Sequence, residues 1–290
     1  MKAIIFGANG QDGFYLSSLL RAEGVEVVSA SRKGRDFVNA DIADYEAVRK
    51  LIAAHLPEYI FHFAANSTTR HDVLFENHQA ISTGTLNILE SVKLFSPHSK
   101  VFISGSGLQF KNTGKPISEK DPFEANDAYS VSRIQSVYAA RYFRTLGLRV
   151  YVGYFFNHDS PERTERHLTK KIAEAVKAIS KGSMDKLEIG NPDVKKEWGF
   201  AGDIVSAVWT LVNQDAITEA VLGTGKAYSI QEFIEICFSM IGKDWKQYVA
   251  IKPGFESPYS TLVSDPSTIF SLGWKPEKDI AQLAAMMLTD

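Results

Sequence analysis

The sequence predicts an α/β protein: a doubly wound parallel sheet followed by a smaller C-terminal α/β part. Three observations predict it. An apolar run, Ala3 to Phe6, leads straight into glycines spaced by three, Gly7, Gly10 and Gly13. Strand-like apolar runs then alternate with stretches of helical periodicity through the first half of the chain. The 290 residues are enough for one large or two closely joined domains, and no internal repeat or low-complexity segment divides them. The expected boundary puts residues 1–155 in a dinucleotide-binding unit, with later returns of the chain, and residues 156–290 mainly in a second unit.

Ala3 to Phe6 reads as a buried strand. The helical pattern after it carries Phe14, Leu16, Leu19 and Leu20, and Gly24 can end it. In between, the first glycine allows a tight turn, the second lets a pyrophosphate approach the backbone, and the third lets the helix pack on the strand. The helix start adds free N–H groups and the positive end of its dipole. The loop residues Gly7, Asn9, Gly10, Gln11, Asp12 and Gly13 are therefore expected to bind a dinucleotide, the bland alternative being an ordinary strand–turn–helix. Val25 to Ser29 reads as the second strand. After it, Ser31-Arg-Lys-Gly-Arg35 lacks an acidic residue for a ribose 2′-hydroxyl, while Arg32, Lys33 and Arg35 suit a 2′-phosphate. NADP is thus expected in preference to NAD. Phe37 to Ala40 reads as a short third strand, ending where Asp41, with Ile42 beside it, can reach the adenine.

A helix over Tyr45 to His55 leads into strand Tyr59 to Phe63. That strand ends in small residues, where a ligand can lie against the sheet edge: Ala64 and Ala65 for the cofactor, Asn66 and Ser67 for a substrate. A helix around Gly84 to Glu90 and a strand over Lys100 to Ser104 follow. In such a sheet, ligands bind beyond the carboxyl ends of the strands. The chemistry is expected there, at Ser104-Gly-Ser106-Gly-Leu108-Gln-Phe110 and at Tyr129-Ser-Val-Ser-Arg133. Residues four apart share a helix face, so Tyr129 and Arg133 can meet one ligand. Tyrosine is a poor base near neutrality, and a fixed cation favours its phenolate. Ser106 would hydrogen-bond the reacting oxygen.

A net charge of -2 with no long single-sign run offers no case for nucleic acid or an anionic membrane. The single cysteine, Cys237, rules out an intramolecular disulfide and reads as a packed core thiol. No apolar run is long enough to span a bilayer and no charged-then-apolar leader precedes the first strand, so the cytoplasm is the expected compartment. No Cys/His cluster or paired carboxylates suggest a metal. His62 and His158 lie beside apolar strands and read as hydrogen-bonded structure. Trp198, Trp209, Trp245 and Trp274 read as packing groups.

Taken in order, these residues resemble the extended branch of the short-chain dehydrogenase/reductases, and within it the GDP-mannose 4,6-dehydratase family. The segments that carry the resemblance are Gly7 to Gly13, Phe156-Asn-His-Asp-Ser-Pro161, Lys196-Glu-Trp-Gly-Phe-Ala-Gly-Asp203, Tyr228 to Phe233 and Leu272-Gly-Trp-Lys-Pro276. The resemblance implies a Rossmann domain for NADP and a smaller domain for a nucleotide-diphosphate sugar, a GDP-sugar first. It also implies that Tyr129 takes the C4 hydroxyl proton while Ser106 orients that oxygen and hydride passes to the nicotinamide. Arg133, which like Tyr129 would touch the cofactor, stands where the family has a lysine, and the two are not equivalent. Leu108 falls where the family has the glutamate that moves the C5 proton during dehydration, and leucine moves no proton.

Asn157 resembles the family's phosphate-contacting asparagine, and Lys196 stands for an arginine facing the nucleotide. Lys171, on a basic amphipathic helix over His167 to Lys181, suits a diphosphate, with a solvated helix face as the bland reading. The family's later nucleotide-binding arginine has no clear counterpart around Phe255 to Pro258. The stretch before Asp41 is shorter than the loop the family uses in tetramers, and the one-sided apolar helices over Gln79 to Phe95 and Asp127 to Leu146 match the superfamily's dimer interface, so the resemblance implies a homodimer. The expected activity is NADP-dependent oxidoreduction at sugar C4, as ketoreductase or epimerase. The alternatives are a dehydratase with a different acid/base, or a weakly catalytic cofactor binder.

Overall fold

The computed structural model describes residues 1–32, 34, 36–254 and 257–289. Lys33 and Arg35, two of the three cations assigned to a 2′-phosphate, lie outside the described residues, as do Phe255 and Glu256. Seven strands form the main sheet. Six are β1 (Lys2–Phe6), β2 (Glu26–Ser31), β3 (Val38–Asn39), β4 (Tyr59–His62), β5 (Lys100–Ser106) and β6 (Arg149–Phe155), and the seventh is Glu219–Leu222. They are ordered β3-β2-β1-β4-β5-β6 with Glu219–Leu222 last, and every neighbouring pair is parallel. The order reverses between β1 and β4, which opens a ligand crevice at their carboxyl ends.

Helices α1 (Gln11–Ala22), α2 (Tyr45–His55), α3 (Leu74–Asn77), α4 (Gly84–Phe95) and α5 (Ala128–Thr145) connect the strands. α1 stops as expected at Gly24, whose φ of +73° suits glycine. α2 starts at Asp44, whose carboxylate accepts from the Glu46 and Ala47 amides. β5 runs two residues past the expected Ser104, because Gly105 has no Cβ to meet the Tyr154 ring on β6. The continuous helix expected over Gln79 to Phe95 is interrupted by a π-helical stretch, His78–Thr83. There the Ile81 carbonyl accepts from Thr85 Oγ at 2.7 Å and faces His62 Nε2 at 3.4 Å, while Ser82 reaches across to Gln135. Tertiary partners thus replace part of the regular ladder.

Two apolar clusters sandwich the sheet: one gathers Ile4, Ile60, Ile88 and Val137, and the other Leu16, Leu20, Phe61 and Val208. Val208 lies on α7 (Ala201–Val212), after α6 (Leu168–Ser180). The main sheet is therefore completed by chain well beyond residue 155. A third cluster forms the smaller lobe, where α6, α8 (Ile230–Met240) and Ile280–Leu288 pack around Phe233 and Cys237. Trp198 stacks on Phe233 with ring centroids 4.4 Å apart. Burial pushes the Cys237 thiol up to about 12, which leaves it inert. Among the described residues no helix is long and apolar enough to cross a membrane, and no acidic, His or Cys group clusters as for a metal.

Candidate active site

Two adjoining cavities open at the carboxyl edge of the sheet, and Phe63 lines both. The first, about 260 Å³, lies over the β1–α1 turn and the end of β2. Its walls hold Gly7, Asn9, Gly10, Ser31, Arg32, Ile42, Ala64 and Ala65. Gly7 has φ +86°, and a Cβ there would stand 2.6 Å from the Ala64 nitrogen. A Cβ on Gly13 would stand 2.5 Å from Ala8 Cα, whereas one on Gly10 would meet only the Gly7 oxygen at 3.5 Å. Two glycines thus make the turn and the helix contact, and the third leaves backbone bare toward the cavity. Gly10 caps α1 without a side chain, so the first N–H groups of the helix remain for an anion. These walls fit an adenine dinucleotide.

Three of the expected cofactor residues turn elsewhere. The Asp41 carboxylate accepts from the Ala43 amide at 3.0 Å and is outside the cavity wall, which Ile42 provides instead. Gln11 uses its amide to hold the segment after β6, donating to the His158 carbonyl and accepting from Ser160 Oγ at 2.9 Å. Asp12 faces the second cavity, where His158 meets it.

The second cavity, about 370 Å³, gathers Ser106, Leu108, Tyr129, Arg133 and Asn157. Ser106 ends β5 and caps the short turn after it: its Oγ accepts from the Leu108 amide, and its own amide donates to Gln109. Asp127 caps α5 by accepting from the Tyr129 and Ser130 amides, and Ser130 Oγ donates to the Leu108 carbonyl at 3.0 Å. These bonds pin the first turn of α5 against the Ser106 turn and bring Tyr129 into the same wall. One turn on, Arg133 is 3 % exposed, and its guanidinium lies 4.9 Å from the centre of the Tyr129 ring. Its Nη1 donates to the Ser104 carbonyl and, at 2.8 Å, to Ser104 Oγ. These bonds fix a cation against the face of the Tyr129 ring.

Asn157 brings a buried amide oxygen with no partner among the described residues, and Ser67, Thr68 and Thr69 form the facing rim. Asn66 is turned away: its amide donates to Glu76 at 3.1 Å. Lys171 is also elsewhere. Its ammonium donates to the Glu188 carbonyl at 2.8 Å, in a cleft of the smaller lobe, because the buried stripe of α6 is set by Ile172, Ala173 and Val176. Lys196 sits behind the wall, its ammonium 4.6 Å from the Trp198 ring centre, and burial lowers its pKa.

Sequence reasoning missed Arg163 and His167, which line the same cavity, and it undervalued His158. Arg163 Nε donates to Asp159 at 2.9 Å and its Nη2 to the His158 carbonyl. Burial drives the His167 pKa down to about 4, with Arg163 adding to it, so this imidazole is neutral. His158 faces two acceptors: Phe156 O at 2.7 Å from Nδ1 and Asp12 Oδ1 at 2.9 Å from Nε2. Two acceptors require two ring donors, so His158 is an imidazolium. Burial opposes its charge, but Asp12 outweighs burial and raises its pKa; His158 in turn holds Asp12 below the usual carboxylate range against its own burial.

The stability this pair supplies has two limits. The raised His158 contributes fully below its ordinary 6.5, and that contribution fades as pH rises through the raised value. The depressed Asp12 contributes above its ordinary 3.8 and fades as pH falls through the lowered value. His158→Gln should therefore cost the most melting temperature below about pH 6.5 and progressively less as pH rises from there into the alkaline range. A deficit that stays constant across that range in thermal unfolding would contradict the ion pair.

The family model for GDP-mannose 4,6 dehydratase matches residues 4–287. GDP-mannose 4,6 dehydratase 2 of Arabidopsis thaliana is 32% identical over 320 residues, covering 99% of this chain and 86% of that protein. GDP-mannose 4,6 dehydratase 1 of the same plant is 30% identical, covering 99% and 89%. Among solved structures, RMD from Pseudomonas aeruginosa complexed with NADPH superposes with a TM-score of 0.86 at 21% identity, covering 99% of this chain and 96% of that one. The dTDP-glucose 4,6-dehydratase of Bacillus anthracis in complex with NAD gives 0.87 at 18% identity, covering 99% and 95%. The glycine loop, the sheet order and the paired cavities thus agree with a match running through nearly the whole sequence, and this chain belongs to the GDP-mannose 4,6 dehydratase family of extended short-chain dehydrogenase/reductase enzymes.

Proposed function

We propose that this chain is an NADP(H)-dependent nucleotide-sugar oxidoreductase that acts at sugar C4 without dehydrating its substrate, as a 4-ketoreductase or epimerase. The observation that carries the reading is the wall itself: Ser106, Tyr129 and Arg133 share one cavity, and the residue beside them is Leu108. The bound nicotinamide would exchange hydride with C4. In the reducing direction Tyr129 gives its phenolic proton to the oxygen that forms at C4, Ser106 holds that oxygen, and Arg133 stabilises the phenolate left behind. No carboxyl group stands at Leu108 to move a second proton, and the carboxylate that does face this cavity, Asp12, is engaged by His158, so elimination lacks the base the family places there.

Arg32 at the rim of the first cavity supports NADP(H), as does the NADPH in the RMD structure. The names of the sequence relatives favour a GDP-sugar. Asn157 and Arg163 suit its diphosphate, while the smaller lobe would bind the nucleotide. Leu86 on α4 and Tyr138, Tyr142 and Leu146 on or just past α5 are exposed, which suits a homodimer across these helices.

The test is mass spectrometry of GDP-linked sugars incubated with the protein and NADPH or NADH. A 4-keto-6-deoxy sugar should gain two hydrogens as one NADPH is oxidised, with NADH less effective, or a C4 epimer should appear by NMR. Loss of one water from GDP-mannose would overturn the assignment in favour of a dehydratase. No change in any sugar would leave a cofactor binder.

A further inference from the structure

Behind Leu108 the catalytic cavity continues into another, about 310 Å³ in volume, and Thr69, Leu108 and Leu262 belong to the walls of both. Its wall is largely aromatic and aliphatic, with the buried Phe110, the half-buried Tyr259 and the exposed Pro258. Asn126 stands at its rim, with its amide nitrogen donating to Glu124 and no hydrogen bond on its amide oxygen among the described residues. Among the described residues the acidic side chain in the wall is Asp127, whose carboxylate accepts from the Tyr129 and Ser130 amides and from Ser130 Oγ. A leucine at 108 makes the passage between the two cavities apolar, where a carboxylate would break it.

We propose that this space takes an N-acylamino substituent of the sugar, so that the preferred substrate is an acylated amino sugar carried on a nucleoside diphosphate. The inference rests on the nucleotide-sugar reading above and names the substrate class for the same site. A cavity of about 310 Å³ is far larger than a hydroxyl or a single methyl needs. An acyl tail finds apolar contact with Phe110, Tyr259 and Leu262; the amide linking it to the ring would pass Thr69, which lines both cavities and can meet its carbonyl, with the Asn126 amide oxygen in the wall beyond to accept its N–H. A carboxylate substituent would meet Asp127 in the wall, and a carboxylate already engaged by three donors repels it without offering a partner. Leu108 lines both this space and the cavity that holds Ser106, so the substituent would enter from a ring carbon near the reacting one.

The experiment is calorimetric titration of the NADPH-loaded protein with GDP-mannose and UDP-glucose, each against its analogues carrying acetamido in place of hydroxyl at C2 and at C3. At least one acetamido analogue should bind about tenfold tighter than its parent. Asn126→Trp, which puts an indole in place of a small lining side chain of the cavity, should remove that preference. Parents binding as tightly as every analogue, a free-amine analogue binding tighter than the acetamido form, or a preference that survives Asn126→Trp would each overturn the proposal while leaving the nucleotide-sugar reading intact. If none of these nucleotide sugars binds, that reading falls and this one with it.

Discussion

Replacing Tyr129 by phenylalanine is expected to lower turnover by about 10²–10⁴-fold while leaving NADPH affinity within about twofold of the parent. The change removes one oxygen and little else. The ring still lies 4.9 Å from the Arg133 guanidinium, and the Asp127 cap bonds to the residue's backbone, so neither is disturbed. What is lost is the only phenol, among the described residues, in a wall that also holds Ser106 and Arg133. Of the remaining titratable groups there, His167 is neutral and His158 is committed to Asp12. Steady-state kinetics with NADPH titration separates the roles. Turnover surviving within about tenfold would mean that another group moves the C4 proton, and His158 would be the first to examine.

How much of this site can be read in the sequence depends on how far apart its parts lie. The glycine turn, α2 and the first turn of α5 are encoded locally, in spacing and in capping aspartates, whereas Tyr129 reaches the Ser106 wall through a bond between positions 22 apart. The Asp12–His158 pair joins positions 146 apart in sequence and depends on the segment after β6 folding back over α1, which no local pattern announces. Lys171 shows the converse error. An amphipathic helix declares which residues are buried but not which of two neighbouring clefts its lysines enter, and here the ammonium goes to the Glu188 carbonyl. Asn66 and Asp41 fail for a third reason: each is a short polar side chain in a loop, and nearby donors and acceptors (Glu76 and the Ala43 amide) engage it first.

Gly7→Ala should destabilise the protein by about 3–5 kcal/mol and abolish measurable NADPH binding, the largest stability effect expected of so small a change. Two costs combine. With φ at +86°, an alanine pays roughly 1–2 kcal/mol for the left-handed backbone. Its methyl would also stand 2.6 Å from the Ala64 nitrogen and 2.8 Å from the Phe63 carbonyl carbon, both main-chain atoms that cannot swing aside. The turn would have to move away from β4, taking with it the first turn of α1, where the cofactor phosphates are expected to bind. Gly24→Ala supplies the control: its φ is +73°, yet nothing lies within 4 Å of the added carbon, so only the conformational cost of about 1 kcal/mol applies. In thermal unfolding Gly7→Ala should melt roughly 6–15 °C lower than the parent and Gly24→Ala only a few degrees lower. NADPH titration should find Gly24→Ala unchanged. Equal melting of the two variants would mean that the β1 turn does not press on β4, and the case for a glycine-cradled dinucleotide would lose its structural basis.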